Sequence, residues 1–218
     1  MSMLERKKVL ILAPHTDDAE LGAGGLISKA LRLGADVRVL AFSCASESIP
    51  AGFPSDITKR EFEGSMEYLG VKHYELFDFA VREFPRHRQE ILQSLIDYRT
   101  RFSPDIVVTP SIHDCHQDHA VIAQESIRAF KTKTILMYEM PWNNLTLKAN
   151  FFLALDAVDV ENKIGSIQGY KSQISKGSIY LKVDFIQSLL RGNAARFGFD
   201  GYAEAYEVLR LVEGADDE

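Results

Sequence analysis

Residues 9–18 read Val9-Leu10-Ile11-Leu12-Ala13-Pro14-His15-Thr16-Asp17-Asp18, an unbroken apolar run that stops abruptly at a polar cluster. Such a run, with no polar residue alternating through it, suits a strand covered by helices on both faces of a parallel sheet, because neither face then meets water. A second stretch repeats the pattern. Ile106-Val107-Val108 is followed, after a short spacer, by Asp114-Cys115-His116-Gln117-Asp118-His119. In open α/β sheets the ligand crevice lies beyond the carboxyl ends of the strands. If the two runs are neighbouring parallel strands, His15, Asp17, Asp18, His116, Asp118 and His119 converge at one sheet edge.

The intervening sequence alternates strand and helix. Leu21, Leu26, Ile27, Ala30, Leu31 and Leu33 recur at helical spacing up to Gly34, a helix stop. A strand over 37–42 follows, then a long loop with Pro50, Gly52 and Pro54, a helix over 57–69 ended by Gly70, and a strand over 73–77. A helix from about 86 to 102 is stopped by Pro104 before the strand at 106–108. A helix through Ile122, Ile127 and Phe130 leads to a fifth strand over 135–138. Five strands with helical crossovers predict an α/β fold, a doubly wound, mostly parallel sheet with helices on both faces. Past Pro141-Trp142 the pattern changes to a C-terminal α+β extension: a strand over 151–158, helices over 160–174 and 179–192, and a segment at 202–209 that suits helix or strand. With no repeat or flexible linker, residues 1–218 read as a single domain, a core of about 7–140 with an extension of about 141–218 packed on it. Segment 43–54 and region 141–201 are expected to shape the pocket and any homo-oligomer contacts.

Composition bounds the partners. The 218 residues are 46% hydrophobic and 26% charged, enough for one large globular domain, and the formal charge of −6 gives no basic excess to neutralise a nucleic acid. A small or sugar-like substrate is expected instead. Neither a signal-peptide core nor a membrane span is recognisable, and two cysteines, Cys44 and Cys115, exclude a disulfide framework, so a cytoplasmic setting is expected. The acidic end 215–218 reads as a solvated tail.

The two clusters carry the chemistry. Imidazole and carboxylate together suit a borderline cation such as zinc, and three protein ligands with one open position is the catalytic arrangement. His15 and Asp18, three apart, share a face if the chain turns helically after the strand, and His119 is the natural third ligand. Such a metal lowers the pKa of bound water far enough that hydroxide is available near neutral pH. Asp17, beside the ligand pair, is placed to accept the water's proton. His116, held by an imidazole-to-carboxylate bond to Asp118, is placed to stabilise an oxyanion or protonate a leaving amine. His113 and Cys115 read as loop residues; the competing readings are a Cys115 ligand, Asp17 and Asp18 as helix caps, and iron, cobalt or manganese in place of zinc. Gly22-Ala23-Gly24-Gly25 invites a dinucleotide reading, but Ile27 holds the third glycine's place and no ribose-binding acid follows the second strand. Close packing of the first helix explains the glycines better.

Ala13-Pro14-His15-Thr16-Asp17-Asp18-Ala19-Glu20-Leu21-Gly22 together with Asp114-Cys115-His116-Gln117-Asp118-His119 closely resembles the PIG-L/LmbE-like family of zinc-dependent N-acetylglucosaminide deacetylases. Glu47, the Arg60-Glu61 helix, Arg191-Gly192 and Tyr202-Ala203-Glu204-Ala205-Tyr206 extend the likeness over most of the chain. The resemblance implies a Rossmann-like domain holding one Zn2+ per chain on His15, Asp18 and His119. It also implies Asp17 as general base, His116 oriented by Asp118 as its catalytic partner, and an N-acylated amino sugar or its conjugate as substrate. Glu47, Lys59 and Arg60 are the implied substrate contacts. Thr16 and Gln117 stand where the family usually has proline, Ala19 for a frequent glutamate, and Ser46 for a glycine. None of these is a ligand position. An amidase acting on an amino sugar conjugate, or a non-catalytic sugar- or nucleotide-binding protein, are the alternatives.

Overall fold

The computed structural model describes residues 2–146 and 148–214, so the acidic end 215–218 lies outside the described residues. The opening run forms β1 (Lys8–His15), and its side chains alternate between two cores, Val9, Ile11 and Ala13 into one and Leu10 and Leu12 into the other. That two-sided burial is why the run lacks polar residues. In chain order there follow α1 (Asp18–Arg32), β2 (Asp36–Ser43), α2 (Ile57–Leu69), β3 (His73–Leu76), α3 (Arg88–Phe102), β4 (Ile106–Pro110) and α4 (Gln117–Ala129). The remainder is β5 (Thr134–Tyr138), β6 (Phe151–Leu155), α5 (Ala157–Gln168), α6 (Lys171–Ile174), α7 (Val183–Ala195) and β7 (Tyr202–Arg210).

The strands form one seven-stranded sheet in the order β3-β2-β1-β4-β5-β7-β6. The first five run parallel, while β7 pairs antiparallel with both β5 and β6. Apolar residues of α1, α2, α5 and α7 cover one face, and those of α3 and α4 the other. The order of the strands reverses at β1, between β2 and β4, which is where a doubly wound sheet opens its crevice.

Two C-terminal expectations change. The helix expected over 160–174 is two helices, because Tyr170 leaves helical geometry (φ −80, ψ 66) and its buried hydroxyl bonds the Thr16 carbonyl and the Glu20 carboxylate. The undecided segment is strand: Ala, Glu and Leu favour helix locally, but pairing on both sides overrides that preference. The strand expected over 151–158 ends at Leu155, where Asp156 caps α5 with a reciprocal capping box.

The glycines of α1 are close-approach positions, as expected. A Cβ at Gly22 would lie 2.3 Å from the Tyr138 ring, one at Gly24 2.9 Å from Lys163, and one at Gly25 2.5 Å from Leu155. The helix departs from helical angles at Ala23 (φ −144). The amides of Gly25 and Leu26 donate to the Glu204 carboxylate at 2.9 and 2.7 Å, and Lys163 Nζ completes that buried group at 2.7 Å.

Candidate metal centre

β1 ends at His15, and the first turn of α1 brings Asp18 back over it. The His15 amide donates to Asp18 Oδ2 at 2.8 Å, and His15 Nδ1 lies 3.1 Å from the same oxygen. From the other side of the crevice, the first turn of α4 places His119 Nε2 3.2 Å from Asp18 Oδ2. His15, Asp18 and His119 thus form a group able to hold an ion. Two ligands each about 2.0–2.1 Å from one zinc at a tetrahedral angle lie about 3.3 Å apart, close to these separations. His15, His116 and Asp118 also cluster within ion-holding distance.

Both imidazoles have their second nitrogen on a buried carboxylate. His119 Nδ1 donates to Asp114 Oδ2 at 2.8 Å, and His15 Nε2 donates to Asp118 Oδ2 at 3.1 Å. These bonds fix ring orientation and direct the opposite nitrogens, His15 Nδ1 and His119 Nε2, toward Asp18, as outer carboxylates do in metal sites. This favours His15-Asp18-His119 over the second group, in which His15 Nε2 is already committed to Asp118.

The expected bond from Asp118 to the His116 ring is not formed. Asp118 sits in the first turn of α4 with its side chain turned into the protein, where Oδ2 accepts from His15 and from the Arg82 amide at 2.7 Å. His116 is instead the N-cap of α4, its Nδ1 accepting the Asp118 amide at 3.2 Å. That bond leaves the proton of a neutral ring on Nε2. Asp114, which sequence reasoning did not assign, both orients His119 and accepts the His116 amide at 2.8 Å. The available signal was an acid opening the second cluster, but spacing does not tell which imidazole it meets.

The electrostatics follow from that geometry. Burial disfavours a charged His15, yet its bonds to Asp118 and Asp18 win and raise it to about 9. Burial likewise works against His119, and Asp18 and Asp114 raise it to about 10. Burial opposes ionisation of Asp18 too, but His119 and His15 hold it well below the usual carboxylate range. Protons here balance a buried anion, and a cation would displace them. Asp17 is pushed up to about 6 by burial and by the Asp18 charge. His116 is lowered by burial and by His119 and His15, which disfavours the protonated ring that protonating a leaving amine would need.

Residues 10–130 match the family model described as PIG-L: GlcNAc-PI de-N-acetylase. The chain belongs to the PIG-L family. A diacetylchitobiose deacetylase of Thermococcus kodakarensis is 33% identical over 121 residues, covering 52% of this chain and 45% of that protein. The match therefore spans about half of that relative's length. The diacetylchitobiose deacetylase structure from Pyrococcus horikoshii superposes with a TM-score of 0.78 at 22% identity, covering 93% of this chain and 84% of that one. The same fold is found in GalB, a 4-carboxy-2-hydroxymuconate hydratase from Pseudomonas putida, with a TM-score of 0.75, 20% identity, and coverage of 96% and 100%.

In this PIG-L member the cluster floors a cavity of about 260 Å³, whose lining includes His15, Asp17, Asp18, His116 and His119. Asp17 occupies the N-cap position of α1 without making a side-chain cap bond, so the capping reading does not account for it. Glu47 lies exposed in a short 3-10 turn, and its neighbours Ala45 and Ser48 line the cavity while it does not. Lys59 and Arg60 are exposed on α2, outside that cavity, facing Glu63 and Asp56 one turn away. Their spacing along a helix is enough to explain them as surface ion pairs. His113 lies 3.5 Å from Glu207, and Cys115 is exposed; neither joins an ion-holding group among the described residues.

Proposed function

We propose that this protein is a zinc-dependent hydrolase that removes the N-acetyl group from an amino sugar or its conjugate. The observation that carries the reading is the convergence of two carboxylate-backed imidazoles on Asp18, with Asp17 beside them on the floor of a cavity. His15 Nδ1, Asp18 Oδ2 and His119 Nε2 are the three donors that would hold the ion. A divalent ion bound there supplies Lewis acidity and makes water available as a nucleophile at neutral pH. The substrate class is supported by family membership and by the deacetylase relatives that share the fold.

The chain's own groups then divide the work. Asp17, raised toward neutrality, takes the proton of the attacking water and can return it to the amine that leaves. His116, neutral with its hydrogen on Nε2, donates to the carbonyl oxygen as negative charge develops there. Asp114 and Asp118 act through the imidazoles, holding His119 and His15 in place. The test is acetate release by zinc-reconstituted protein from N-acetylated monosaccharides, chitobiose-type disaccharides and amino sugar conjugates. Release from at least one is expected, with kcat lowered roughly 10²–10⁴-fold in Asp17→Asn protein that still holds zinc. Full turnover by that variant would remove Asp17 from its role, and a zinc-loaded wild type releasing no acetate from any of them would overturn the deacetylase reading.

A further inference from the structure

The mouth of the cavity carries a feature that the chemistry at its floor does not use. Trp142 and Tyr180 stack with ring centroids 3.8 Å apart and planes 17° apart, and both line the same cavity as the metal cluster. Trp142 is the only tryptophan in the chain and remains 37% exposed. The pair gives the cavity one aromatic wall beside its polar cluster.

Both rings stand on fixed backbone. The turn after β5 is closed by the Asn143 amide donating to the Met140 carbonyl at 2.8 Å. It is tied to the loop preceding α4 by the Cys115 amide on the Asn143 carbonyl at 3.2 Å and by a bridge between Asp114 and Asn144. Trp142 is thereby held in register with Asp114 and His116. Tyr180 lies in the 3-10 turn Ile179–Leu181, anchored by buried Leu181, whose carbonyl accepts from Gln168 at 2.8 Å. Asn143, Gln173 and Lys176 line the cavity beside the two rings and add hydrogen-bonding groups. An aromatic wall fringed by polar side chains matches a pyranose, whose C–H face is apolar and whose rim is all hydroxyl.

We propose that the Trp142–Tyr180 stack is a carbohydrate platform: a sugar ring of the substrate lies against it, which sets its N-acyl group over the floor of the cavity. The proposal rests on the amino sugar reading above and makes Trp142 and Tyr180 specificity-determining rather than catalytic. With a volume of about 260 Å³ the cavity is at the low end for small-molecule sites, so it takes one ring, and further sugars extend outward over the rim.

Because Trp142 is the sole tryptophan, its emission reports occupancy directly. In zinc-loaded Asp17→Asn protein, N-acetylglucosamine and diacetylchitobiose should change that emission saturably, while ringless N-acetylethanolamine should not, and Tyr180→Ala should weaken sugar binding about tenfold. In the active enzyme, Trp142→Ala should raise KM for N-acetylated sugars about tenfold with little change in kcat, and Trp142→Phe should recover most of the loss. Acetate release from sugars with silent emission and an unchanged KM in Trp142→Ala would overturn the platform and leave the deacetylase reading standing. Saturable sugar binding without acetate release would do the reverse.

Discussion

Asp114 and Asp118 each take the outer nitrogen of an imidazole whose inner nitrogen meets Asp18. Removing either partner frees a ring that must otherwise be held against rotation. Asp114→Ala and Asp118→Ala should each weaken zinc binding about 10–100-fold by competition with a chelating dye. His116→Ala should leave zinc affinity within about threefold and act on turnover, since its ring is held by the Asp118 amide and not by a carboxylate. An unchanged affinity in Asp118→Ala, with only turnover lost, would restore the pairing expected from sequence. The residue types of the site were legible in the sequence because helix capping accounts for only one of its imidazoles, that of His116, and leaves His15 and His119 to be explained. The pairings were not, since Asp118 and His116 are neighbours in sequence, and which acid meets which ring depends on how α4 is rotated over β1.

Helix α1 joins the site to the core, and its conflict between packing and charge is testable. Gly22 leaves no room for a side chain, and Tyr138 cannot yield easily because its ring is fully buried and its hydroxyl bonds the Leu12 carbonyl at 2.9 Å. Gly22→Ala should therefore destabilise by about 1–3 kcal/mol in urea unfolding, despite alanine's better helix propensity. Glu20, one turn from the cluster, is fully buried with Oε2 lacking a partner among the described residues, and burial pushes it up to about 7 from 4.5. The folded state then holds a proton that the unfolded chain releases. That stability is fully present below about pH 4.5 and is lost as pH rises toward 7. In chelator-treated protein, Glu20→Gln should flatten this fall; an equal slope in both proteins would exclude Glu20 as its source. The apolar periodicity of α1 and its stop at Gly34 could be read from sequence, and so could the glycines as packing positions. The buried Glu20 could not, because nothing local marks which helix face Tyr170 and Ser65 will cover.

At the scale of the whole molecule, the C-terminal extension completes the sheet and walls the site. Its least legible part was β7, since its pairing partners, β5 and β6, lie far off in sequence and decide its conformation. The Lys163–Glu204 pair is buried between this extension and α1, with the Tyr206 hydroxyl also donating to Glu204 at 2.7 Å. Glu204→Ala should cost about 3–5 kcal/mol in chemical unfolding, because it leaves the buried Lys163 charge on the Glu20 and Leu21 carbonyls alone and removes the acceptor of two amides, and a loss near zero would mean the extension docks without it. The parallel core was legible because two-sided burial leaves a continuous apolar run. The reaction is not a property of the fold, since a hydratase and deacetylases share it. It depends on what the crevice between β1 and β4 holds. Zinc content after reconstitution and dialysis, measured by elemental analysis, tests this most directly. About one zinc per wild-type chain is expected and close to none in His15→Ala, Asp18→Ala and His119→Ala; stoichiometric zinc in any of the three, correctly folded, would overturn the ligand set.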